Sequence, residues 1–358
     1  NEACNAVGIK KPLLVTDKGL AKLDITNKTL DILSKAGLGR SIFSEVDPNP
    51  TELNADSGIE IFKEGKHDGV IAFGGGSGID LGKLIAFMVG QKRPIWDFED
   101  LSDWWTRAET TAIRPIIAIP TTAGTGSEVG RASVITNSQT KEKKIIFHPK
   151  FLPRIVICDP ELTVGMPSSI TAGTGMDAFA HCLEAYCSPH YHPMSQGMAL
   201  EGMRLVKENL PIVYKDRNNI RGRAHMMSAA IIGATAFQKG LGAIHAASHP
   251  IGAVHNTHHG TTNAVVMREA LLMNRSAIEP KIESLCNYLE ISGGFEGFIS
   301  FVTNLNKVLK IPNSLTELGV KKPNIRALVE SALNDPSCGG NPIKLNKENM
   351  TQLFKNCL

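Results

Sequence analysis

Residues 69–80 read GVIAFGGGSGID, and this stretch decides the fold class of the chain. The apolar run over 69–73 predicts a buried strand, and the residues after the glycine turn predict a helix that continues to Met88. A strand, a glycine turn and a helix N-terminus in succession form the unit from which parallel α/β sheets are built. The exposed backbone N–H groups of such a turn attract phosphate, although a tight turn without a ligand has the same sequence.

The same alternation of strand and helix precedes this stretch. Residues 12–17 predict a buried strand that ends in the polar Asp17, and residues 20–36 predict the helix that follows it. Residues 41–43 predict another strand, and residues 52–65 another helix. Strands that alternate with helices are typical of a parallel, doubly wound sheet.

A second strand and loop follow the first glycine turn along the chain. Residues 115–119 are apolar and lead into PTTAGTGSE at 120–128, which is rich in glycine and hydroxyl groups. Ligands of open α/β sheets bind at the carboxyl ends of the strands, where both loops are expected. Neither loop is a GxGxxG fingerprint or a GxxxxGK[ST] P-loop. The presence of two such loops nevertheless makes the binding of a phosphate-bearing cofactor a better explanation than two turns without a ligand.

Length and pattern predict two domains. The chain has 358 residues, which is more than the roughly 250–300 residues that a single hydrophobic core supports. Strand signals fade after Asp159-Pro160, and apolar helical patterns dominate from there to the end. We therefore predict an α/β domain over residues 1–162 and an all-helical domain over residues 163–358.

Composition indicates an ordinary globular protein with small-molecule partners. Hydrophobic residues make up 42%, charged residues 20%, and the net charge is +3, too small to argue for nucleic acid or a membrane surface. No apolar run reaches the ~18 residues of a membrane span, and no signal peptide is visible. The seven cysteines lack paired CxxC spacing, which predicts reduced thiols and a cytoplasmic location.

Residues 242–263, GAIHAASHPIGAVHNTHHGTTN, hold five of the eleven histidines and indicate a metal site. Converging imidazoles are common ligands of first-row transition metals. His245 and His249 are four residues apart on a predicted helix, and a loop carrying the next histidines follows. Asp177 and His181 have the same spacing, which places both on one face of an earlier helix. Taken alone, Asp177 is also explained as a core carboxylate with hydrogen-bond partners inside the protein. The histidine cluster favours a metal ion shared by the two segments.

These motifs together resemble one known family over nearly the whole chain. The glycine turn, PTTAGTGSE, GMDAFAHCLEAY at 175–186, HAASHPIGAVHNTHHGTTNA at 245–264, and the tail with Asp335-Pro336 and Asn341-Pro342 are similar to the iron-containing (group III) alcohol dehydrogenases. The resemblance implies four metal ligands, Asp177, His181, His245 and His259. It also implies that His249 is a catalytic residue beside the nicotinamide and the substrate. Three nitrogens and one oxygen suit Fe(II), Zn(II), Co(II) or Ni(II).

The resemblance further implies NAD as the cofactor. Asp17 corresponds to an acidic residue that binds the adenosine ribose, and a carboxylate there would repel the 2′-phosphate of NADP. The other cofactor-binding positions that match the family are Asn49, Gly76, Ser77, Thr121, Thr122, Thr125, Lys143 and Leu162.

The chain departs from the family pattern in several places, two of which concern the predicted site. Gly130 and Arg131 stand where the family commonly has a threonine, which removes a hydroxyl near the cofactor. His258 stands where a proline is usual, so that either neighbouring histidine could be the ligand. The spacing to Gly260 favours His259.

The resemblance implies hydride transfer between an alcohol and NAD, with the metal acting as a Lewis acid on the substrate oxygen. Within the family, the chain is similar to the branch that oxidises the C8 hydroxyl of 3-deoxy-D-manno-octulosonate (Kdo), where Arg107 or Arg131 could meet the carboxylate. The alternatives are a general short-chain alcohol or diol dehydrogenase, a metal- and NAD-dependent lyase of the dehydroquinate synthase type, and a non-catalytic binding protein. Family members usually associate, so we expect a homodimer.

Overall fold

The computed structural model describes residues 1–358, which form two compact units. The first unit comprises residues 1–122 and 127–162, and the second comprises residues 123–126 and 163–358. The short segment 123–126, within the PTTAGTGSE loop, therefore packs with the helical part of the chain. Whether residues 1–162 and 163–358 behave as separate domains stays a prediction.

The first unit contains all the strands of the protein. They are β1 Pro12–Val15, β2 Ile42–Phe43, β3 Gly69–Gly74, β4 Ile116–Pro120, β5 Ala132–Thr136, β6 Lys143–Phe147 and β7 Ile155–Val156. The helices of this unit are α1 Glu2–Val7, α2 Asp24–Lys35, α3 Glu52–Glu64 and α4 Gly76–Met88.

Five strands form the predicted parallel sheet, in the order β2-β1-β3-β4-β7. Strands β5 and β6 pair with each other as a separate antiparallel hairpin. Because β2 lies on one side of β1 and β3 on the other, the direction of winding reverses between β1 and β3. Ligands of open α/β sheets bind beside the carboxyl ends of the strands at such a reversal.

Strand β3 lies inside the sheet, between β1 and β4, and all six of its residues are buried. A strand covered on both faces has a continuous apolar sequence rather than an alternating one, which is why GVIAFG lacks a polar face. Helix α4 packs directly on this strand. A Cβ atom at Gly82 would lie 2.7 Å from the Cβ of Ala72, so that only glycine permits this close approach.

The helix predicted over residues 20–36 is interrupted in the structure. A short 3₁₀ turn covers Leu20–Lys22, Leu23 is extended, and α2 begins at Asp24. The turn forms because Asp17 Oδ1 accepts hydrogen bonds from the N–H groups of Gly19 and Leu20, both at 2.9 Å. Local capping by an aspartate thus competes with the helical ladder at its first turn.

Asp80, the last residue of the glycine stretch, joins α4 to the β5–β6 hairpin. Its Oδ2 accepts a hydrogen bond from the N–H of Val134 at 3.0 Å, and its Oδ1 accepts one from the Ser127 hydroxyl. The buried ammonium of Lys83 lies 2.9 Å from Asp80 Oδ1 and donates to the Ser127 carbonyl at 3.0 Å. A buried charge is tolerated only when it is paired and hydrogen-bonded, so these two side chains stabilise the fold as a pair.

The second unit is helical throughout, as predicted. Its helices are α5 Ser168–Cys187, α6 Pro193–Lys215, α7 Ile220–Ala236, α8 Ala243–His255, α9 His259–Leu289, α10 Gly294–Val308, α11 Ile325–Leu333 and α12 Lys347–Cys357. Helix α5 is central, because every residue from Thr171 to Cys187 is buried and α6, α7 and α9 pack around it. None of the helices combines the length and the apolar character that crossing a bilayer requires.

Replacing Glu128 by glutamine should flatten the pH dependence of stability. Glu128 is 3% exposed, and burial raises the pKa of its carboxyl from 4.5 to about 7. The folded protein therefore keeps a proton that the unfolded chain releases. Stability falls as the pH rises from about 4.5 to about 7, by up to about 3 kcal/mol for this one group. Glutamine does not titrate, so that this contribution is absent in Glu128→Gln.

Urea unfolding at pH 5 and pH 8 measures the effect. The loss of stability between the two pH values should be smaller in Glu128→Gln than in the wild type, while the exposed Glu64→Gln should behave like the wild type. Equal losses in Glu128→Gln and the wild type would contradict the account.

Candidate functional site

Helix α5 places Asp177 and His181 one turn apart on the same face. Both are buried, with exposures of 2% and 5%. A carboxylate and an imidazole are rarely left inside an apolar helix without partners, because an unpaired charge in the interior costs several kcal/mol. The ring of His181 stacks on the ring of His245, with centroids 4.7 Å apart. The partners of this pair therefore come from the histidine-rich segment, as the sequence predicted.

The histidine-rich segment forms two helices joined by a tight turn. Helix α8 carries His245 and His249 and ends where Asn256 adopts a left-handed conformation, with φ 52°. Helix α9 begins at His259, so the expectation that this histidine lies in a loop is wrong: it is the first helical residue. His258 Nδ1 accepts a hydrogen bond from the N–H of Thr261 at 3.3 Å and caps α9. Capping occupies His258 and leaves the inward position to His259.

Three imidazoles face one oxygen of Asp177. Oδ1 of this carboxylate lies 3.8 Å from His181 Nε2, 3.8 Å from His245 Nε2 and 3.5 Å from His259 Nε2. Ligand atoms of Asp177, His245 and His259 all lie within 4.8 Å of one another. His181 falls outside this triad and approaches it through its contact with Asp177.

This arrangement fits a divalent metal ion. In a tetrahedral site with metal–ligand bonds of about 2.1 Å, neighbouring ligand atoms are about 3.4 Å apart. The three separations from Asp177 Oδ1, 3.5 to 3.8 Å, are close to that value. Three nitrogens and one oxygen are also a donor set that Fe(II) and Zn(II) accept. Asp177, His245 and His259 therefore fit a shared metal ion, and His181 lies next to this set through its contact with Asp177.

The electrostatics of the site keep Asp177 ionised. Burial alone would raise the pKa of its carboxyl, but the neighbouring histidines hold that pKa well below its usual range. Burial lowers the pKa of His181 to about 4, so this ring is neutral at pH 7. Burial also acts to lower the pKa of His245, yet the adjacent Glu184 and Asp177 carboxylates raise it to about 9. A buried anion beside imidazole nitrogens favours binding of a cation.

Two further side chains contact the ligands, and sequence reasoning did not assign either of them. Asn263 Nδ2 donates to Asp177 Oδ1 at 2.8 Å and lies 3.3 Å from both His245 Nε2 and His259 Nε2. Glu184 Oε2 lies 2.5 Å from His245 Nδ1. The signal for Glu184 was available, because it follows His181 by three residues and so shares the face of α5 that carries Asp177. Asn263 is one turn after His259 on α9.

His249 lies beside the metal ligands but has a different partner. Its ring stacks on that of His259, with centroids 5.3 Å apart, and its Nδ1 is 2.7 Å from Asp335 Oδ2. Burial would raise the pKa of the Asp335 carboxyl, but His249 lowers it to about 2. Asp335 belongs to the tail motif of the sequence, which therefore holds a histidine of the site.

In the first unit, the predicted cofactor loops meet at the carboxyl edge of the sheet. The N–H of Thr121 donates to the carbonyl of Gly74 at 2.9 Å, and a Cβ atom at Gly75 would lie 3.2 Å from the Thr122 side chain. Helix α4 begins at Gly76, so its free N–H groups face this edge. Asp17 follows the neighbouring strand β1, at the point where the winding direction reverses.

Ser77, Asn49 and Lys143 lie around a turn that adjoins this edge. The Ser77 hydroxyl donates to the carbonyl of Pro48 at 2.6 Å, next to Asn49. Lys143 is paired across the hairpin with Thr136, whose N–H donates to the carbonyl of Pro50 at 2.8 Å.

Leu162 and Thr125 complete the set of predicted cofactor residues. Leu162 packs against the apolar cluster on one side of the sheet, and Thr125 belongs to the second unit. The first unit thus contains eight of the nine predicted residues, Asp17, Asn49, Gly76, Ser77, Thr121, Thr122, Lys143 and Leu162.

Comparison with known proteins gives the family directly. Residues 1–160 match the family model described as iron-containing alcohol dehydrogenase, and residues 171–358 match the model of the C-terminal part of the Fe-containing alcohol dehydrogenase family. The chain is 36% identical to a 4-hydroxybutyrate dehydrogenase of Cupriavidus necator, over 95% of this chain and 90% of that protein. It is 34% identical to a 1,3-propanediol dehydrogenase of Klebsiella pneumoniae, over 99% and 93%.

A solved structure agrees with this. The crystal structure of a 1,3-propanediol oxidoreductase superposes with a TM-score of 0.93 at 34% identity, over 100% of this chain and 94% of that one. The chain belongs to the iron-containing alcohol dehydrogenase family. It is an NAD-dependent oxidoreductase with an alcohol substrate, and its cofactors are NAD and a divalent metal ion.

Replacing Gly260 by alanine should displace His259 and reduce metal binding. A Cβ atom there would lie 2.0 Å from the carbonyl oxygen of Gly173 and 2.9 Å from Asp177 Cβ. Because both neighbours belong to helix α5, the first turn of α9 must move away from it. We expect at least about a tenfold loss of metal affinity, as for other perturbed metal sites.

Metal content per chain after dialysis is the measurement. Gly197→Ala on helix α6 is the matched control, because a Cβ atom there meets nothing within 4 Å and alanine favours a helix by about 1 kcal/mol. A metal content in Gly260→Ala equal to that of the wild type would show that metal binding does not depend on the close approach of α9 to α5.

Proposed function

We propose that this protein transfers a hydride between NAD and the carbinol carbon of a primary alcohol, with a divalent metal held by Asp177, His181, His245 and His259. The observation that supports the proposal most directly is the set of three imidazole Nε2 atoms at 3.5 to 3.8 Å from one oxygen of Asp177. No packing requirement explains that convergence, whereas a metal ligand set does.

The metal, when bound, supplies a Lewis acid that stabilises negative charge on the substrate oxygen. The four ligands contribute one negative charge, that of Asp177, so a divalent ion keeps a net positive charge at the site. Burial of Asp177 and His181 excludes water from the inner side of the ligand set and strengthens that field.

In this proposal, His249 receives the hydroxyl proton of the alcohol. Asp335 accepts a hydrogen bond from Nδ1–H, which leaves the lone pair of His249 Nε2 as the acceptor. Oxidation then balances: the carbinol carbon loses a hydride to NAD, the hydroxyl loses its proton to His249, and a carbonyl compound and NADH result. The Asp335 carboxylate stabilises the positive charge that His249 gains.

We further propose that NAD binds at the carboxyl edge of the sheet in the first unit. Free N–H groups at the start of α4 suit the pyrophosphate, and the hydroxyl groups of Thr121 and Thr122 border the same edge. Asp17 Oδ1 is occupied by two backbone N–H groups, so Oδ2 is the oxygen for a ribose hydroxyl.

The substrate is proposed to carry a terminal CH₂OH group. The relatives are named for 4-hydroxybutyrate and 1,3-propanediol, both of which have that group, and so does C8 of Kdo. Hydroxy acids and sugar acids such as Kdo form the narrower version of the proposal.

A cytoplasmic location agrees with seven cysteines that form no disulfide, and a homodimer stays a prediction to be checked by sedimentation.

A substrate screen tests the proposed reaction. The protein reconstituted with Fe(II) or Zn(II) should form NADH from short primary alcohols, diols or 4-hydroxybutyrate, followed by the absorbance of the reduced cofactor. His245→Ala should lose both metal and turnover, while the exposed His190→Ala should lose neither.

The outcomes of the screen separate the versions of the proposal. Activity on Kdo alone would select the sugar-acid version, and broad activity on simple alcohols would exclude it. Consumption of a substrate without net NADH would contradict the dehydrogenase proposal and favour a lyase.

Asp17→Asn tests the cofactor assignment. Asparagine keeps an oxygen for the N–H groups of Gly19 and Leu20 but removes the charge that would repel a 2′-phosphate. The wild type should prefer NAD, and the ratio of kcat/KM for NAD to that for NADP should fall at least about tenfold in Asp17→Asn, equivalent to 1.4 kcal/mol. Asp31→Asn, which removes a carboxylate from α2, should leave the ratio unchanged. A wild-type preference for NADP would overturn the assignment.

A further inference from the structure

Glu184 is a buried carboxylate whose two oxygens both bind the first turn of helix α8. Oε1 accepts a hydrogen bond from the N–H of Ile244 at 2.7 Å, and Oε2 lies 2.5 Å from His245 Nδ1. The residue is 7% exposed. Burying a carboxylate in an apolar helix bundle is costly, and nothing in the proposed reaction uses Glu184 directly.

The N–H of Ile244 needs such a partner because of the local sequence. The first N–H groups of a helix have no intrahelical acceptor, and the residue before α8 is Gly242, which has no side chain to cap it. Asn341, from the tail motif, accepts from the N–H of Ala243 at 3.0 Å. Glu184 and Asn341 therefore replace the missing cap, but only Glu184 also reaches the imidazole of a metal ligand.

The contact with His245 has a chemical consequence that capping does not require. A carboxylate oxygen only accepts hydrogen bonds, so Nδ1 of His245 must carry the proton that lies between them. In the neutral ring, the lone pair is then on Nε2, the atom that lies 3.8 Å from Asp177 Oδ1. A metal-binding histidine whose other nitrogen donates to a carboxylate is held in the correct tautomer and orientation.

We infer that Glu184 is a positioning residue that sets the tautomer and the orientation of His245 for metal binding. The inference rests on the proposed assignment of His245 as a ligand. It adds a residue on which metal affinity depends even though that residue does not touch the metal. Asp177, His181 and Glu184 then form one functional stripe along α5, at positions i, i+4 and i+7.

Glu184→Gln separates this role from simple capping. Glutamine has nearly the same shape, and its oxygen can still accept from the N–H of Ile244. Its NH₂ group then faces His245 Nδ1 and can only donate, so that Nδ1 must accept and the proton moves to Nε2. The helix keeps its cap while His245 is held in the wrong tautomer, as in triads where an aspartate that orients a histidine is replaced by asparagine.

Titration of the metal-stripped protein with Zn(II), in competition with a chelator, gives the affinity. We expect Glu184→Gln to bind Zn(II) about 10- to 100-fold more weakly than the wild type. The metal-stripped protein should stay folded because the cap is retained, and its thermal midpoint should fall only by the loss of the attraction between the Glu184 carboxylate and the His245 ring. Glu128→Gln is the matched control, a buried glutamate in the other unit, and its Zn(II) affinity should equal that of the wild type.

Two results would overturn the inference: an unchanged Zn(II) affinity in Glu184→Gln, or a fall in the thermal midpoint that accounts for the whole loss of affinity. His245→Ala, titrated in parallel, distinguishes a failure of the positioning role of Glu184 from a failure of the ligand assignment of His245. If His245→Ala loses affinity and Glu184→Gln does not, only the positioning role fails. If His245→Ala also binds Zn(II) normally, the ligand assignment fails and the positioning role fails with it.

A measurement on the unaltered protein covers the case in which Glu184→Gln does not fold. With ¹⁵N-labelled histidine and bound Zn(II), the spectrum of His245 should show a protonated Nδ1 and a metal-shifted Nε2. A proton on Nε2 of His245 in the Zn(II)-loaded protein would contradict the inference.

Discussion

The ionised carboxylate of Asp177 is the interaction on which the second unit depends. It lies inside the central helix of that unit, where an isolated charge would cost several kcal/mol. The cost is offset by the Asn263 amide and by three imidazoles, which approach the same oxygen. Those partners come from α5, α8 and α9, so the site forms only when these helices pack in one particular way.

Close backbone packing is what allows that arrangement. Gly260 at the start of α9 lies against Gly173 on α5, with no room for a side chain between the two helices. The approach brings His259 within reach of Asp177, which a larger residue at either position would prevent. Glu184 and Asn341 then hold the first turn of α8, and Asp335 holds His249. Residues that never touch the reacting atoms therefore account for much of the precision of the site.

The first unit depends on a simpler constraint, the geometry of parallel strands. All five strands point the same way. The loops that follow β1, β3 and β4 therefore lie at one edge of the sheet, and no specific side-chain contact is needed to bring them there. The pair of Asp80 and Lys83 adds the β5–β6 hairpin to this frame. Asp80, the last residue of the stretch 69–80, stabilises the fold, while the glycines before it form the turn at the carboxyl edge of the sheet.

Local pattern alone predicted the fold class and pointed to a metal site in the histidine-rich segment, while most of the individual site residues came from the resemblance to the family. Alternating strands and helices predicted the parallel sheet, and the spacing of four residues placed Asp177 with His181 and His245 with His249. The prediction of the fold class succeeds because hydrophobic periodicity depends only on near neighbours in sequence. The break in the helix after Asp17 was missed because a side-chain cap outcompeted the helical pattern.

Only the tertiary structure decided which groups meet. Glu184 pairs with a histidine 61 residues later, Asp335 with one 86 residues earlier, and Asn263 with an aspartate 86 residues earlier. No local rule predicts such pairs, since they exist only after the helices have packed. Packing also gives His259 and His258 different surroundings, because the start of α9 turns one ring towards Asp177 and uses the other as a cap. The sequence alone thus determined the kinds of residue available, and the packing of α5, α8 and α9 determined their partners.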